Sequence, residues 1–217
     1  MTRPGFRKAR PGGGRPKDAA ATGEGFLSSS LFSQAQILHM MKNEFARSRR
    51  HRLPLGCALM QVDRIAQLVD MHGAELRHAL RAAIAELVRG KTRGADLLGA
   101  TNDDRYLLVL PHTNLEQTRV VVDRLHQQFR DVSIAAGGRE LALTLSIGIS
   151  ACDHQETLFF DTFVAQAEVA LEFAVQHGGD QVVSFGETQL RGEPEPPPEN
   201  KPPKARRKGD PGRGGAS

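Results

Sequence analysis

Carboxylates, amides and a cation gather at one place in this 217-residue chain, the tetrapeptide Asn102-Asp103-Asp104-Arg105. Two apolar runs, "LLGAT" and "YLLVLP", flank it. Asn and Asp tolerate the positive φ angles of a tight turn, so the stretch from Ala95 to Thr113 reads as a β-hairpin with these residues at its tip. Such a tip can offer carboxylates to a cation, with Asp63, at the end of another apolar run, as a second donor. Two isolated carboxylates nevertheless make a poor ligand set for a hard divalent ion. The plainer reading is a solvated turn whose charges pair locally. His78, His112 and His177 stand on or beside helix ends, where solvated histidines are ordinary, and no His/Cys spacing suggests zinc. Cys57 and Cys152 each lie within an apolar run and read as buried free thiols, which fits a reducing compartment.

The elements that must position these residues come from the middle of the chain. Residues 1–24 and 188–217 are rich in Gly, Pro and basic residues, with no apolar periodicity, and read as disordered tails. Residues 25–187 remain as one folded unit, large enough to bury a core without metal or disulfide support. The tails carry +4 and +3 of a whole-chain charge of +4, so the core is close to −3. The basic character therefore belongs to the tails. Lys204-Ala-Arg206-Arg207-Lys208 could touch nucleic acid or a membrane, but it has no aromatic residue to stack on bases. No apolar run approaches the 18 residues of a membrane span, and the N-terminus has no apolar signal region, so the chain reads as cytoplasmic.

Within the core, residues 31–50 place Ile37, Met40, Met41 and Phe45 at helical spacing, with cations at the end that suit the helix dipole. "LGCALMQV" follows Pro54 as a nearly continuous apolar strand. Helices are expected at 64–72 and 74–90, joined at Gly73, the second with a stripe of Leu76, Leu80, Ile84 and Leu87. The hairpin comes next, and then a helix over 114–130 with Leu115, Val121, Val122, Leu125 and Phe129 turned inward. "LALTLSIGISAC" (141–152) reads as one strand, 158–177 as a helix, and "QVVSF" as a short last strand after the Gly178-Gly179 turn. The order β-α-α-β-β-α-β-α-β after the first helix gives an α/β (α+β) fold, a central mixed sheet surrounded by helices, palm-like at its centre.

This ordered set, with the strand "LTLSIGIS" and a hairpin ending in Leu110-Pro111, resembles the GGDEF domain, the diguanylate cyclase fold that makes cyclic di-GMP from two GTP. The stretches "EFARSRRHRLPLGCALMQVD" and "AEVALEFAVQHGGDQVVSF" are similar to the family's entry into its first strand and to its last helix and strand. The likeness spans about residues 31–186. It implies that the signature turn falls on Asn102, Asp103, Asp104, Arg105 and Tyr106. Both glycines, which let backbone approach the nucleotide, are then replaced. Asp104 keeps one acidic position and Arg105 takes the next. The leading metal-binding Asp of the first strand falls on Gln61, in Gln61-Val62-Asp63. The guanine-reading Asn and Asp fall on Val69 and His78, and the triphosphate-binding Lys and Arg on Val175 and Gly179. Carried over residue by residue, the resemblance implies a domain with no catalytic residues and no bound metal or cofactor.

The same comparison implies a binding site. Many members carry Arg-x-x-Asp five residues before the signature turn, the inhibitory or I-site for cyclic di-GMP. Arg93-Gly94-Ala95-Asp96 stands at that spacing from Asn102, and Arg124 falls where a further arginine completes the site, with Arg119 nearby as a spare. Arg93 offers a planar fork to a guanine edge or a phosphate, and Asp96 can accept from a guanine N–H edge. With 25% of residues charged, Arg-x-x-Asp also recurs by chance, and its other reading is an exposed ion pair worth about 0–1 kcal/mol. Two functions follow from the two readings. One is a non-catalytic cyclic di-GMP receptor acting on an unidentified protein partner, with a ligand-linked homodimer as one form. The other is a ligand-independent interaction or dimerisation scaffold, with nucleic-acid binding through the tails a separate possibility.

Overall fold

The strand "LGCALMQV" becomes β1 (Leu55–Val62) and takes the middle of the sheet because it is apolar on both faces. In this computed structural model, which describes residues 31–136, 138–153 and 159–191, β1 is paired antiparallel on both sides. Its neighbours are β3 (Arg105–Pro111) and β6 (Leu145–Cys152). The edge strand β2 (Leu97–Ala100) pairs antiparallel with β3, and β7 (Val182–Ser184) runs parallel to β6. The five strands follow the order β2-β3-β1-β6-β7. A separate two-stranded ribbon joins β4 (Ile134–Ala136) to β5 (Arg139–Leu141). The expected single strand over 141–152 is therefore two elements. Ala142, Leu143 and Thr144 separate them, and Leu143 is buried in the core rather than in register with a neighbour.

Alternation along β1 divides the core in two. Ala58, Met60 and Val62 point to one side, against α2 (Ile65–His72), α3 (Ala74–Lys91) and α4 (Leu115–Phe129). Leu55, Cys57 and Leu59 point to the other, against α1 (Gln34–His51) and α5 (Phe160–Gln176). Two capping boxes start helices on these layers. Ser33 and Gln36 open α1, and Asn114 and Gln117 open α4, each pair exchanging side-chain and backbone hydrogen bonds. The inward stripe of α4 is Thr118, Val122, Leu125 and Phe129. Leu115, the first residue of α4, was expected there but is 41% exposed. Both cysteines are buried and neither is in a disulfide, and burial pushes the Cys57 thiol up to about 12.

A last helix, α6 (Phe185–Arg191), follows β7 directly and carries the fold past the expected boundary at 187. Thr188 is buried, and Glu187 accepts from Arg119 of α4, which holds this segment on the domain. The expected tail over 1–24 and residues 192–217 of the other lie outside the described residues. Among the described residues no helix is long and apolar enough to cross a membrane.

The tightest approach between layers is at Gly148 on β6. A Cβ there would overlap the Ala167 carbonyl oxygen and the Leu171 amide of α5, both backbone atoms that cannot yield. At Gly90, on the exposed side of α3, a Cβ would meet nothing within 4 Å. Gly148→Ala is expected to lower stability by about 2–3 kcal/mol. Gly90→Ala should raise it by up to about 1 kcal/mol. Urea denaturation of the two variants checks both signs.

Candidate functional site

The hairpin between β2 and β3 turns at residues 101–105. Asp104 takes the left-handed conformation with φ 61°, which accounts for an Asp at that place. Thr101 closes the turn. Its backbone N–H donates to the Arg105 carbonyl at 2.9 Å, and its hydroxyl accepts from the Arg105 N–H at 3.2 Å. The Asn102 N–H donates to the side-chain oxygen of Gln34 at 3.0 Å, tying the turn to the start of α1.

The charges of the turn pair in two directions. Arg105 Nε lies 3.1 Å from an Asp103 carboxylate oxygen, the local pairing expected from sequence. Asp104 does not stay local. Arg77 Nε stands 2.7 Å and 2.9 Å from its two oxygens, and Arg81 lies 3.8 Å away. The carboxylate is only 18% exposed, so the expectation of a solvated Asp104 gives way to a clamp from α3. Tyr106 turns into the core at the next position, and burial holds its hydroxyl up at about 12.

Register brings Gln61 of β1 opposite Arg105 of β3. Arg105 Nε donates to Gln61 Oε1 at 3.1 Å, so the amide and the guanidinium are bonded to each other. Asp63 is separate from this pair. Its carboxylate accepts from the Thr144 hydroxyl at 2.7 Å, the Ser146 hydroxyl at 2.6 Å and the Asp180 N–H at 2.9 Å. Gly179, φ 72°, passes so close that a Cβ would stand 2.9 Å from this carboxylate. Asp180 itself receives His126 Nε2 at 2.9 Å and Arg130 at 2.8 Å. Asp63 and Asp104 are thus each held by their own partners, and no group of three or more His, Cys, Asp or Glu able to hold a metal exists among the described residues.

Arg93, Asp96 and Arg124 lie elsewhere, between the C-terminal end of α3 and the middle of α4. The Arg93 N–H donates to the Asp96 carboxylate at 2.7 Å and the Asp96 N–H returns to the Arg93 carbonyl at 3.0 Å, closing a four-residue turn. Burial raises the Asp96 carboxyl above its ordinary value, and the Arg93 N–H and guanidinium oppose that rise. Arg124 donates to the Lys91 carbonyl at 2.6 Å, at the exposed C-terminal end of α3. The three side chains line one cavity of about 470 Å³, shared with Lys91, Thr113 and Gln117. Its apolar wall includes Val120, 67% exposed. Arg119, the expected spare, is not in this cavity. Its guanidinium grips Glu187 of α6 at 2.6 Å and 3.2 Å, because Val120 and Val121 face the cavity and Arg119 faces the opposite way around α4.

Of the remaining expected positions, Val69 packs against the core, and His78 is exposed on α3. Val175 is 40% exposed on α5. Sequence reasoning missed Arg77, Arg81, His126, Arg130 and Glu187. Their partners are 23 to 68 residues away, and no local signal reports such a pairing.

A mixed sheet with helices on both faces, a charged hairpin turn beside its central strand and an Arg-Asp turn before it define a nucleotidyl-cyclase type of palm domain. Residues 28–181 match the family model for the diguanylate cyclase GGDEF domain, and the chain belongs to that family. The diguanylate cyclase DgcP of Pseudomonas aeruginosa is 25% identical over 71% of this chain, which spans only 23% of that relative's length. The GGDEF domain of FimX, also from Pseudomonas aeruginosa, superposes with a TM-score of 0.66 at 21% identity, covering 71% of this chain and 95% of that domain. The GGDEF domain of DgcB from Caulobacter crescentus, solved in complex with c-di-GMP, superposes at 0.67 with 12% identity, covering 80% and 99%. The fold is that of these domains. The Mg²⁺ that the cyclase family implies does not suit the donors here, since a neutral amide and a guanidinium stand at Gln61 and Arg105.

The Arg119–Glu187 clamp has a pH signature. Burial alone would raise the Glu187 carboxyl, but hydrogen bonds from Arg119 and from the Ser184 N–H and hydroxyl bring it down to about 2, against an ordinary 4.5. A depressed folded value stabilises above the ordinary value and loses that contribution as pH falls from about 4.5 towards 2. Glu187→Gln is expected to be less stable than the parent at pH 6, with the gap closing by pH 2.5. Thermal melts of both proteins across that range check it.

Proposed function

We propose that this chain is a non-catalytic receptor for cyclic di-GMP that binds the ligand through Arg93, Asp96 and Arg124. The observation that carries this reading is the convergence of these three side chains, from the turn after α3 and from the middle of α4, on one cavity of about 470 Å³. Arg93 supplies a cation and a planar fork for a phosphate or a guanine edge, and Asp96 an acceptor for a guanine N–H edge. Arg124 is within reach once it leaves the Lys91 carbonyl. The mutual bond of Gln61 and Arg105 supports the absence of turnover, because two-metal nucleotidyl transfer needs carboxylates at those places. The substituted GTP-contacting positions, Val69, His78, Val175 and Gly179, support it further. Binding in the micromolar range corresponds to about −8 kcal/mol, within reach of a few desolvated arginine contacts and base stacking. The output would pass to a protein partner or to a second copy of the chain, by differential affinity of the ligand for two states.

A scaffold reading rests on a different feature of the same residues. Asp96 and Arg124 each already have a backbone partner, the Arg93 N–H and the Lys91 carbonyl. A surface turn needs no more than that.

Isothermal titration of the full chain separates the two. Cyclic di-GMP is expected to bind at micromolar concentration, with Arg93→Ala at least tenfold weaker and Gln61→Ala unchanged. GTP with Mg²⁺ should give no product. A flat trace for the folded parent would leave the scaffold reading standing.

A further inference from the structure

The Arg93–Asp96 turn has a second cavity on its other side. It measures about 330 Å³ and is lined by Leu31, Phe32, Val88, Leu97 and Leu98, together with Arg89, Thr92 and the turn residues Arg93, Gly94 and Asp96. Both cavities fall in the size range of small-molecule sites, about 300–1,000 Å³. They differ in chemistry. The first is lined by Lys91, Arg124, Thr113 and Gln117, the second largely by apolar side chains. Arg93 and Asp96 belong to both, so the turn is a ridge between them.

The apolar wall is a built one. The Phe32 N–H donates to the Leu98 carbonyl at 3.1 Å, and the Ala100 N–H donates to the Phe32 carbonyl at 2.8 Å, which lays the segment before α1 along the edge of β2. Gly99 lies so close to Ile37 of α1 that any Cβ there would overlap it. Phe32 is therefore held as one wall of the cavity, with Val88 as another. Among the described residues the Arg93 guanidinium makes no hydrogen bond or ion pair through its side-chain nitrogens, and it stands at the crest.

We propose that the apolar cavity is a second base site, so that a single cyclic dinucleotide straddles the Arg93–Asp96 turn. One base lies in the polar cavity against Val120 and Gln117, the other in the apolar cavity between Phe32 and Val88, and the phosphates lie over Arg93. This rests on the receptor reading above and adds to it the stoichiometry and the asymmetry of the site. A self-intercalated ligand pair presents its bases as one stack to one face. Two cavities divided by a cationic ridge suit one ligand with a base on each side. The chemistry recognised is a pair of planar heteroaromatic rings joined through phosphates, and a ligand with only one ring fills half of it.

Gly94 allows a direct test, because a Cβ there meets nothing within 4 Å and a larger side chain closes the mouth of the apolar cavity without touching the core. Titration calorimetry of the full chain with cyclic di-GMP should give one ligand per chain. Gly94→Trp, with an unchanged melting temperature, should bind at least tenfold more weakly than the parent. Val120→Trp, on the polar side, should weaken binding likewise. Two ligands per chain, or parent-like affinity in Gly94→Trp, would overturn the straddled mode while leaving the receptor reading intact. No binding by the folded parent would overturn the receptor reading and this inference with it.

Discussion

The pairing register of β1 sets every other placement in this domain. The strand is hydrogen-bonded on both sides over its whole length, and both of its faces are buried. A slip of one residue would exchange the two faces and drive Gln61 into the α3–α4 core, so the register admits no neighbour. It sets Gln61 against Arg105 and, one step past the strand, puts Asp63 under the loop that carries Gly179 and Asp180. The three hydrogen bonds to Asp63 join the end of β1, the start of β6 and the turn before β7. A carboxylate with that many donors is a fastener, and the nearby Gly179 is the residue that lets the loop pass over it.

The helix α3 connects the two regions of chemical interest. Its 18 residues span roughly 27 Å at 1.5 Å per residue. Arg77 and Arg81, in its first half, hold Asp104 at the hairpin turn, and its last turn, through Lys91, receives Arg124 and leads into Arg93. Leu76, Leu80, Ile84 and Val88 seat it on the core.

The hairpin turn keeps its shape by ionic and hydrogen-bonded pairing. Individual pairs this near the surface contribute only about 0–1 kcal/mol each. Their effect is geometric. Arg105 is drawn towards Asp103 and Gln61, Asp104 towards Arg77, and the turn is closed on its own charges. Around Arg93 the balance differs. The backbone is closed by Asp96, and the guanidinium remains available between a polar and an apolar cavity.

Element types were legible in the residues because they rest on local periodicity and on the punctuation of Pro54, Gly73 and Gly178-Gly179. The helices α1 to α5, the strand β1, the hairpin and the GGDEF resemblance all follow from that order. The split between β5 and β6 was not legible, since "LALTL" alternates as a strand does and only the burial of Leu143 breaks it. Nor was α6, whose seven residues are held by Glu187 and Thr188 rather than by propensity. The GGDEF resemblance, not periodicity or spacing, pointed to Arg93, Asp96 and Arg124, with Arg119 kept as a spare. By itself the sequence determined which side chains are available and which local segments they ride on. Tertiary structure decided which of them meet: Arg124 with Lys91, Arg119 with Glu187, Asp104 with Arg77. Those choices depend on how helices rotate as they pack on the sheet, and a helix turns by about 100° for each residue, so two neighbours in sequence can face opposite sides of the molecule.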